Sequence, residues 1–558
     1  MQIFIDEITR LVKRVIKEPI QVEIPPVPEF GDFALPCFKF TKTNPVHKAQ
    51  EIAKAIKPSK LIDVIEAKGP YVNFYVNKEA LARIVLTQIW EQDLQYGKGA
   101  IRSEKVMVEF SQPNTHKAFH IGHLRNVCLG DALVRIMRYS GYPVIAANYI
   151  NDTGAHVSKC IWAYLKFFKG KEPLEGKGEW LGQIYAHASK QLEENPEYKQ
   201  EVDYIHQQIE KSNPEFIEIW ETTKEWSMDD FFDIYKKLQV HFDAWFFDNE
   251  LIEPGKVIVQ ELVDKSIAII DQGATIVDLN RYKLDVALIL KADGTSLYVT
   301  KDLALAKQKF EQFKIDKSIY VVAAEQSMHF KQLFKILEIY GFSQAKKCYH
   351  LSYELVMLKE GKMSSRAGNI VLYSEFASKV ESFARSEVDQ RHSQWSAQDK
   401  DVAVHQVTLG AIKFGMIYQD ANKVITFDPQ KSIDFTGETG PYCQYAHART
   451  CSVLKKSPEQ VMSSVDFSLL SHECEIELIK LLGRFPLVVA TSSQTYTPSI
   501  LCRYVLDVSQ AFNDFYETCP IIKAEDKIRH ARLNLLNATR VVLRIALALL
   551  GIPAPEQM

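Results

Sequence analysis

The chain has no apolar run long enough to cross a bilayer: its longest strongly apolar stretch, around residues 541–552, falls short of the ~20 residues a spanning helix needs. Its nine cysteines include no Cys-x-x-Cys pair and no Cys/His grouping at zinc-ligand spacing, which argues against a zinc ribbon and reads as reduced, mostly buried thiols. Net charge is nearly absent, −3 over 558 residues, so any polyanion must be met by local basic patches rather than by a global field. Tandem repeats and low-complexity tracts are missing. No Gly-x-Gly-x-x-Gly follows a strand, which removes the dinucleotide fingerprint and with it an oxidoreductase reading. The start, Met1-Gln2-Ile3-Phe4-Ile5-Asp6, lacks the basic segment and apolar run of a secretory signal, so the expected compartment is the cytoplasm.

What is present is an ordinary globular composition, 46% hydrophobic and 25% charged, on a chain too long for one core. Its length predicts roughly three or four domains. Within residues 1–95, Pro25, Pro26 and Pro28 precede Gly31-Asp32, a turn-rich loop between helical and extended stretches that suggests a small α+β module. Lys39, Lys42, Lys48, Lys54, Lys57, Lys60 and Lys68 lie among Phe38, Phe40, Tyr71 and Phe74. That mixture suits a phosphate-contacting surface with stacking rings, and equally a solvated helix face over an aromatic core.

From residue 96 the pattern changes. Val106-Met107-Val108-Glu109-Phe110 reads as a strand, and a helix begins near His120 after a loop holding Pro113 and Asn114. Leu124, Val127, Cys128, Leu133, Ile136 and Met137 recur at helical spacing, Gly141 and Pro143 end the run, and residues 144–150 form another strand. This predicts a parallel β-α-β crossover. Residues 160–283, rich in charge and aromatics, read as a helical insertion with a helix start at Ser227-Met228-Asp229-Asp230. Strands are expected again at 284–290, 297–300 and 319–323, with a turn at Asp293-Gly294. After about residue 426 long helical patterns dominate, with Ile528, Ala531, Leu535, Val542 and Ile545 in the last, before Gly551 and Pro553. The expected architecture is α/β: a Rossmann-like parallel-sheet domain (96–425) with a helical insertion, an α+β N-terminal domain (1–95) and an all-α C-terminal bundle (426–558).

Two clusters carry chemistry. In His120-Ile121-Gly122-His123, imidazoles three residues apart at a helix start face one side, above free backbone N–H groups and the positive dipole end. Gly122 leaves room for a base or ribose. Lys362-Met363-Ser364-Ser365-Arg366, between Gly361 and Gly368, is either a charged turn or a loop whose lysine closes over phosphates while its serines add donors. Together with the segment running from Pro113 through Lys117 to His123, they resemble, in order, the two signatures of class I aminoacyl-tRNA synthetases. Glu109-Phe110-Ser111-Gln112-Pro113-Asn114, Tyr298-Val299-Thr300-Lys301-Asp302, Ala324-Glu325-Gln326 and Gly437-Glu438-Thr439-Gly440-Pro441-Tyr442-Cys443-Gln444-Tyr445-Ala446-His447-Ala448-Arg449 are more specific. They resemble the arginyl-tRNA synthetase subgroup, over nearly the whole chain.

The resemblance implies a ligase that activates L-arginine with ATP to arginyl-adenylate and transfers arginine to the 3′-terminal ribose of its tRNA. It implies ATP contacts at Lys117, His120, Gly122, His123, Lys362, Ser364, Ser365 and Arg366. Ser365 replaces the usual second lysine of the loop; Arg366 or Lys117 can supply that charge, and the subgroup points to Lys117. For arginine it implies Asp302 on the guanidinium with Tyr298 packed over it, Asn114, His123 and Gln326 on the amino-acid head group, and Glu109 adding negative charge. Gln112 belongs to the same pocket, although the family usually has serine there. On the residues alone, Asp302 could instead cap the helix through Ala304 and Ala306, and Tyr298 could be core. The bundle would bind the anticodon, with Arg449, Lys455 and Lys456 on phosphates and Tyr442 and Tyr445 packing, while the first domain would contact the tRNA corner. ATP with Mg2+, no zinc, no DNA, no membrane and a monomeric state complete the expectation. A small-molecule nucleotidylyltransferase would lack the matching terminal domains. A tRNA-binding regulator without catalysis would have lost His120, His123, Lys362 or Asp302, and all four are present.

Overall fold

The computed structural model describes residues 1–25, 27–41, 43–358, 371–457 and 465–558. The chain opens with α1 (Gln2–Val12), β1 (Phe33–Pro36), α2 (Pro45–Ala55), β2 (Ile62–Lys68), β3 (Tyr71–Val76) and α3 (Lys78–Gln92). The strands form an antiparallel sheet in the order β1-β3-β2. Asn44 and Asn77 cap the helices that follow them, accepting the His47 and Ala80 N–H groups. Of the aromatic residues singled out here, Phe74 is core, whereas Phe38 is exposed and meets Tyr71 edge-on at 5.6 Å. Pro26 and Lys42 lie outside the described residues.

The expected crossover follows: β4 (Val106–Glu109), α4 (Ile121–Tyr139) and β5 (Val144–Ile150), with β4 and β5 parallel. Next come α5 (Ala155–Ala163), α6 (Lys177–Glu194), α7 (Lys199–Glu210) and α8 (Pro214–Lys237). The stretch 160–283 is not purely helical, because β6 (Ala244–Phe247) returns to pair in parallel with β5. Its four residues, Ala244-Trp245-Phe246-Phe247, are too few to show a strand period within a charge-rich region. Ser227 to Asp230 start no helix: they lie inside α8, which begins at Pro214 behind an Asn213 cap. The Ser227 hydroxyl donates one turn back, to the Thr223 carbonyl at 3.3 Å.

After α9 (Ile252–Asp264), β7 (Ile269–Asp271), β8 (Ala274–Asp278) and β9 (Val286–Leu290) make a separate antiparallel sheet, so the strand expected at 284–290 belongs to this sheet and not to the parallel one. Residues 297–300 are not a strand. Leu297 is the N-cap of α10 (Tyr298–Phe313), and the β-branched Val299 and Thr300 sit in its first turn, where the Thr300 hydroxyl accepts the Leu297 N–H. Then come β10 (Lys317–Ala323), α11 (Ser327–Tyr340), β11 (Cys348–Tyr353), β12 (Val356–Leu358), α12 (Tyr373–Arg391), α13 (Ala397–Ile417) and β13 (Ile425–Phe427). The chain ends in α14 (Gly440–Lys455), α15 (Glu473–Thr495), α16 (Ser499–Thr518) and α17 (Asp526–Leu549). No described helix is long and apolar enough to cross a membrane.

The Rossmann-like parallel sheet has the order β11-β10-β4-β5-β6. Alternation along its strands feeds two cores: Val106, Val108, Ile319 and Val321 pack in the cluster containing α4, and Met107, Tyr320 and Val322 in the one containing α10 and α11. The chain leaves β4 toward β5 and β6 on one side and later adds β10 and β11 on the other. The crevice beyond the carboxyl end of β4 is therefore the topological switch point, where open α/β sheets take their ligands.

Candidate active site

The loop joining β4 to α4 runs into that crevice with three non-glycine residues in the left-handed region: Ser111 (φ 80°), Gln112 (φ 48°) and His116 (φ 62°). Such backbone persists only where its surroundings hold it. Ser111 N–H donates to Asn126 Oδ1 at 2.7 Å, Gln112 N–H to Asn148 Oδ1 at 3.0 Å, and His116 N–H to Ser227 Oγ at 3.0 Å. Tyr235 of α8 binds both the Ser111 hydroxyl (2.6 Å) and Asn148 Nδ2 (3.0 Å). The buried His116 ring is wedged between the hydroxyls of Thr115 (2.9 Å) and Thr223 (2.8 Å), and burial, then Lys224, lowers its pKa to about 3. The inserted helix α8 thus braces the loop.

His120 is the N-cap of α4. Its Nδ1 accepts the Gly122 N–H at 3.1 Å, while His123 Nδ1 accepts the His120 N–H at 3.3 Å. The rings stack with centroids 3.8 Å apart. With both Nδ1 atoms accepting, each neutral ring carries its proton on Nε2, so the pair presents two N–H donors. Burial, then Lys117, lowers the His120 pKa to about 4; burial first, then His120 and Lys117, holds His123 well below the ordinary range. The backbone N–H groups of this turn are not free, contrary to expectation. Ile121 donates to Val371 O, Gly122 to the His120 ring and His123 to the His120 carbonyl. The donors this turn leaves open are therefore on side chains. Gly122 has a reason beyond ligand access, because a Cβ there would stand 2.9 Å from His120 Cε1.

Lys117 lies with its Nζ 5.1 Å from the Tyr185 ring centroid, and burial, then Lys159, lowers its pKa. Its charge depresses His120, His123 and His156 alike, which places Lys117 at the cap. Lys362, Ser364, Ser365 and Arg366 lie outside the described residues.

In the arginine set, Asp302 is not a helix cap: it sits in the second turn of α10, where it accepts the His329 Nε2–H at 2.6 Å. Tyr298 is not core either; it is 58% exposed at the start of the same helix, with Lys301 Nζ 5.2 Å from its ring centroid. Glu109 adds no net negative charge, since its buried carboxylate is paired with Lys309. It instead accepts Gln112 Nε2 at 2.8 Å, while Asn126 Nδ2 donates to Gln112 Oε1 at 3.2 Å, so the glutamine is held at both ends. Asn114 bridges to Asn151 beyond β5, and Gln326 is exposed as the N-cap of α11. Nearby, buried Asp248 pairs with Lys301 and accepts Tyr149 and Thr153 (3.1 Å), and Asp302 is close enough to raise the pKa of both Tyr149 and Asp248. His156, just beyond β5, has a buried Nε2 with no hydrogen-bond partner.

Lys309, His329, Asp248 and His156 are outside the sequence-based set. Lone charged residues on helices carry no motif, and only the fold shows what they face. In the C-terminal helices, Arg449 binds Asn513 (3.1 Å) and the Tyr445 hydroxyl (3.1 Å) and lies over the rings of Tyr445 and Tyr516. Tyr442 is buried and hydrogen-bonded to Gln510 and Asn513. Lys455 pairs with Glu556 at 3.1 Å, and Lys456, exposed, is the C-cap of α14.

Three family models match in succession: "Arginyl tRNA synthetase N terminal domain" over residues 2–76, "tRNA synthetases class I (R), catalytic domain" over 85–428, and "DALR anticodon binding domain" over 443–558. The chain is 41% identical over 547 residues to an arginine–tRNA ligase of Bdellovibrio bacteriovorus, covering 96% of this chain and 93% of that one. It is 35% identical over 561 residues to one of Halothermothrix orenii, covering 99% of each. Among solved structures, the arginyl-tRNA synthetase of Thermus thermophilus is similar along the full length of both chains, with a TM-score of 0.83 and 26% identity.

Proposed function

The chain belongs to the arginyl-tRNA synthetase family, and from that premise we propose how its residues divide the work of joining arginine to tRNA. The arginine carboxylate attacks the α-phosphate of ATP, giving arginyl-adenylate and pyrophosphate; a terminal ribose hydroxyl of the tRNA then takes the arginyl group and AMP leaves. Such a reaction needs positioning and stabilisation of growing negative charge more than a protein nucleophile. The stacked His120–His123 cap, with Lys117 beside it, carries this reading. It offers two neutral N–H donors and one ammonium to the phosphates. Lys362, Ser364, Ser365 and Arg366 add to them from the signature loop, and Lys117 supplies the charge that Ser365 lacks. ATP enters as its magnesium complex. In this reading the phosphates and water hold the ion, since magnesium keeps several waters and is bound chiefly through substrate phosphates.

Asp302 takes the guanidinium, whose planar fork of donors a carboxylate accepts in two parallel bonds, and its hydrogen bond to His329 fixes the carboxylate's direction. The exposed Tyr298 ring covers it. Asn114, His123 and Gln326 hold the head group, with Gln112 steadied by Glu109. Residues 1–95 and 426–558 bind tRNA, with Arg449, Lys455 and Lys456 near its phosphates, and the chain works as a cytoplasmic monomer. ATP–pyrophosphate exchange with a panel of amino acids, with and without tRNA, tests the assignment. Arginine alone should support exchange, and its failure under both conditions overturns the reading.

A further inference from the structure

Two ammonium groups share one ring beside the histidine cap. Lys117 Nζ, on the loop before α4, lies 5.1 Å from the Tyr185 ring centroid, and Lys159 Nζ, on α5, lies 5.4 Å from it. Close packing brings the ring there. Gly182, one turn before Tyr185 on α6, lies so near the loop that a Cβ on it would stand 2.6 Å from Ala118 Cβ. The Cys160 thiol donates to the Leu181 carbonyl at 3.4 Å and ties α5 to α6. Burial chiefly raises the Tyr185 pKa and Tyr298 adds to it, so the phenol lies within electrostatic reach of the arginine set.

Like charges are gathered here without an acid. Around the same crevice Lys301 faces Asp248, Lys309 faces Glu109 and Lys224 faces Asp152. Lys117 and Lys159 have no carboxylate partner among the described residues, and after burial it is Lys159 that lowers the Lys117 pKa. An aromatic face holds an ammonium without cancelling its charge. Both lysines are only partly buried, so an anion from solution can reach them. The charges also run in order: Lys117 acts on both rings of the cap, and Lys159 acts on Lys117. A row from the cap through two ammonium groups matches the several charges of a polyphosphate better than the single charge of a phosphodiester.

We propose that Lys159 is a further phosphate-binding residue of the ATP site. With Lys117 it holds the β- and γ-phosphates that leave as pyrophosphate, and Tyr185 is the positioning residue that keeps both ammonium groups in place. The inserted region thus serves activation directly as well as bracing the loop. The assignment rests on the arginine-activation reading for the reaction, whereas binding of the anion itself needs no arginine.

Equilibrium dialysis of radiolabelled inorganic pyrophosphate with Mg2+ against the full chain tests this, alongside pyrophosphate exchange in saturating tRNA. Lys159→Met should weaken pyrophosphate binding about tenfold and raise the KM for ATP, while the KM for arginine stays within about twofold. Lys159→Arg should restore most of the loss. Tyr185→Phe, which keeps the ring, should keep the affinity, and Tyr185→Leu should lower it. Circular dichroism selects the variants that fold as the parent does. Unchanged pyrophosphate affinity in folded Lys159→Met, or a loss confined to the KM for tRNA, overturns the proposal. A parent chain that binds pyrophosphate through Lys159 yet supports no exchange with arginine would overturn the functional reading and leave this site standing.

Discussion

Two residues, Gly122 and Lys117, do work that their positions alone do not announce. Gly122 lets His120 cap α4, so Gly122→Ala should push the imidazole off the Gly122 N–H and cost about 1 kcal/mol of stability together with a large loss of exchange activity. Urea unfolding and pyrophosphate exchange measure the two effects. Lys117→Ala removes the ammonium beside the cap and should lower the activation rate at least about tenfold with a smaller change in the KM for arginine. An unchanged rate would assign the charge elsewhere. Asp302→Ala should raise the KM for arginine selectively, and retained arginine preference would remove Asp302 from recognition. The histidine pair was legible because a strand, a loop and a helix start surround it in order. Its backbone was not, since only the fold shows that Val371 takes the Ile121 N–H. Likewise Glu109 announces a carboxylate, whereas Lys309, far along the chain, cancels its charge.

Whole elements were legible in proportion to their length and period. α4 buries each apolar position that its spacing marks, and β5 follows where Gly141 and Pro143 end the helix. β6 is four residues long and carries no countable period, and α10 begins with a β-branched pair that imitates a strand. At this scale acid should act through buried rings. His116 and His447 have folded pKa values of about 3 and about 4, lowered mainly by burial, so the unfolded chain binds protons that the folded one refuses. Their contribution is complete above about pH 6.5 and is lost as pH falls through about 4, at roughly 1–2 kcal/mol per ring by pH 5. Asp230, raised to about 6, has the opposite sign: it favours the folded state less as pH rises from about 4 to about 6. Urea midpoints between pH 7 and pH 5 should therefore fall, and His116→Gln should flatten that fall.

At the scale of the molecule, the general architecture was readable from composition shifts along the chain, while the joins between its parts were not. Buried Lys413 of α13 pairs with Asp131 of α4 at 2.8 Å, and α8 reaches from the insertion to brace the loop before His120. Neither contact has a local signature. The central position of β4 has a consequence for synthesis. Glu109 and the lysine that neutralises it are 200 residues apart, with β5, β6 and the whole inserted region between them. At about 5–20 residues per second, a nascent chain carries an unpaired acid at the heart of its future sheet for roughly 10–40 s. A ribosome stalled before Lys309 should hold a chain whose β4 segment is still cut by protease, and one stalled well past β10 a chain that resists.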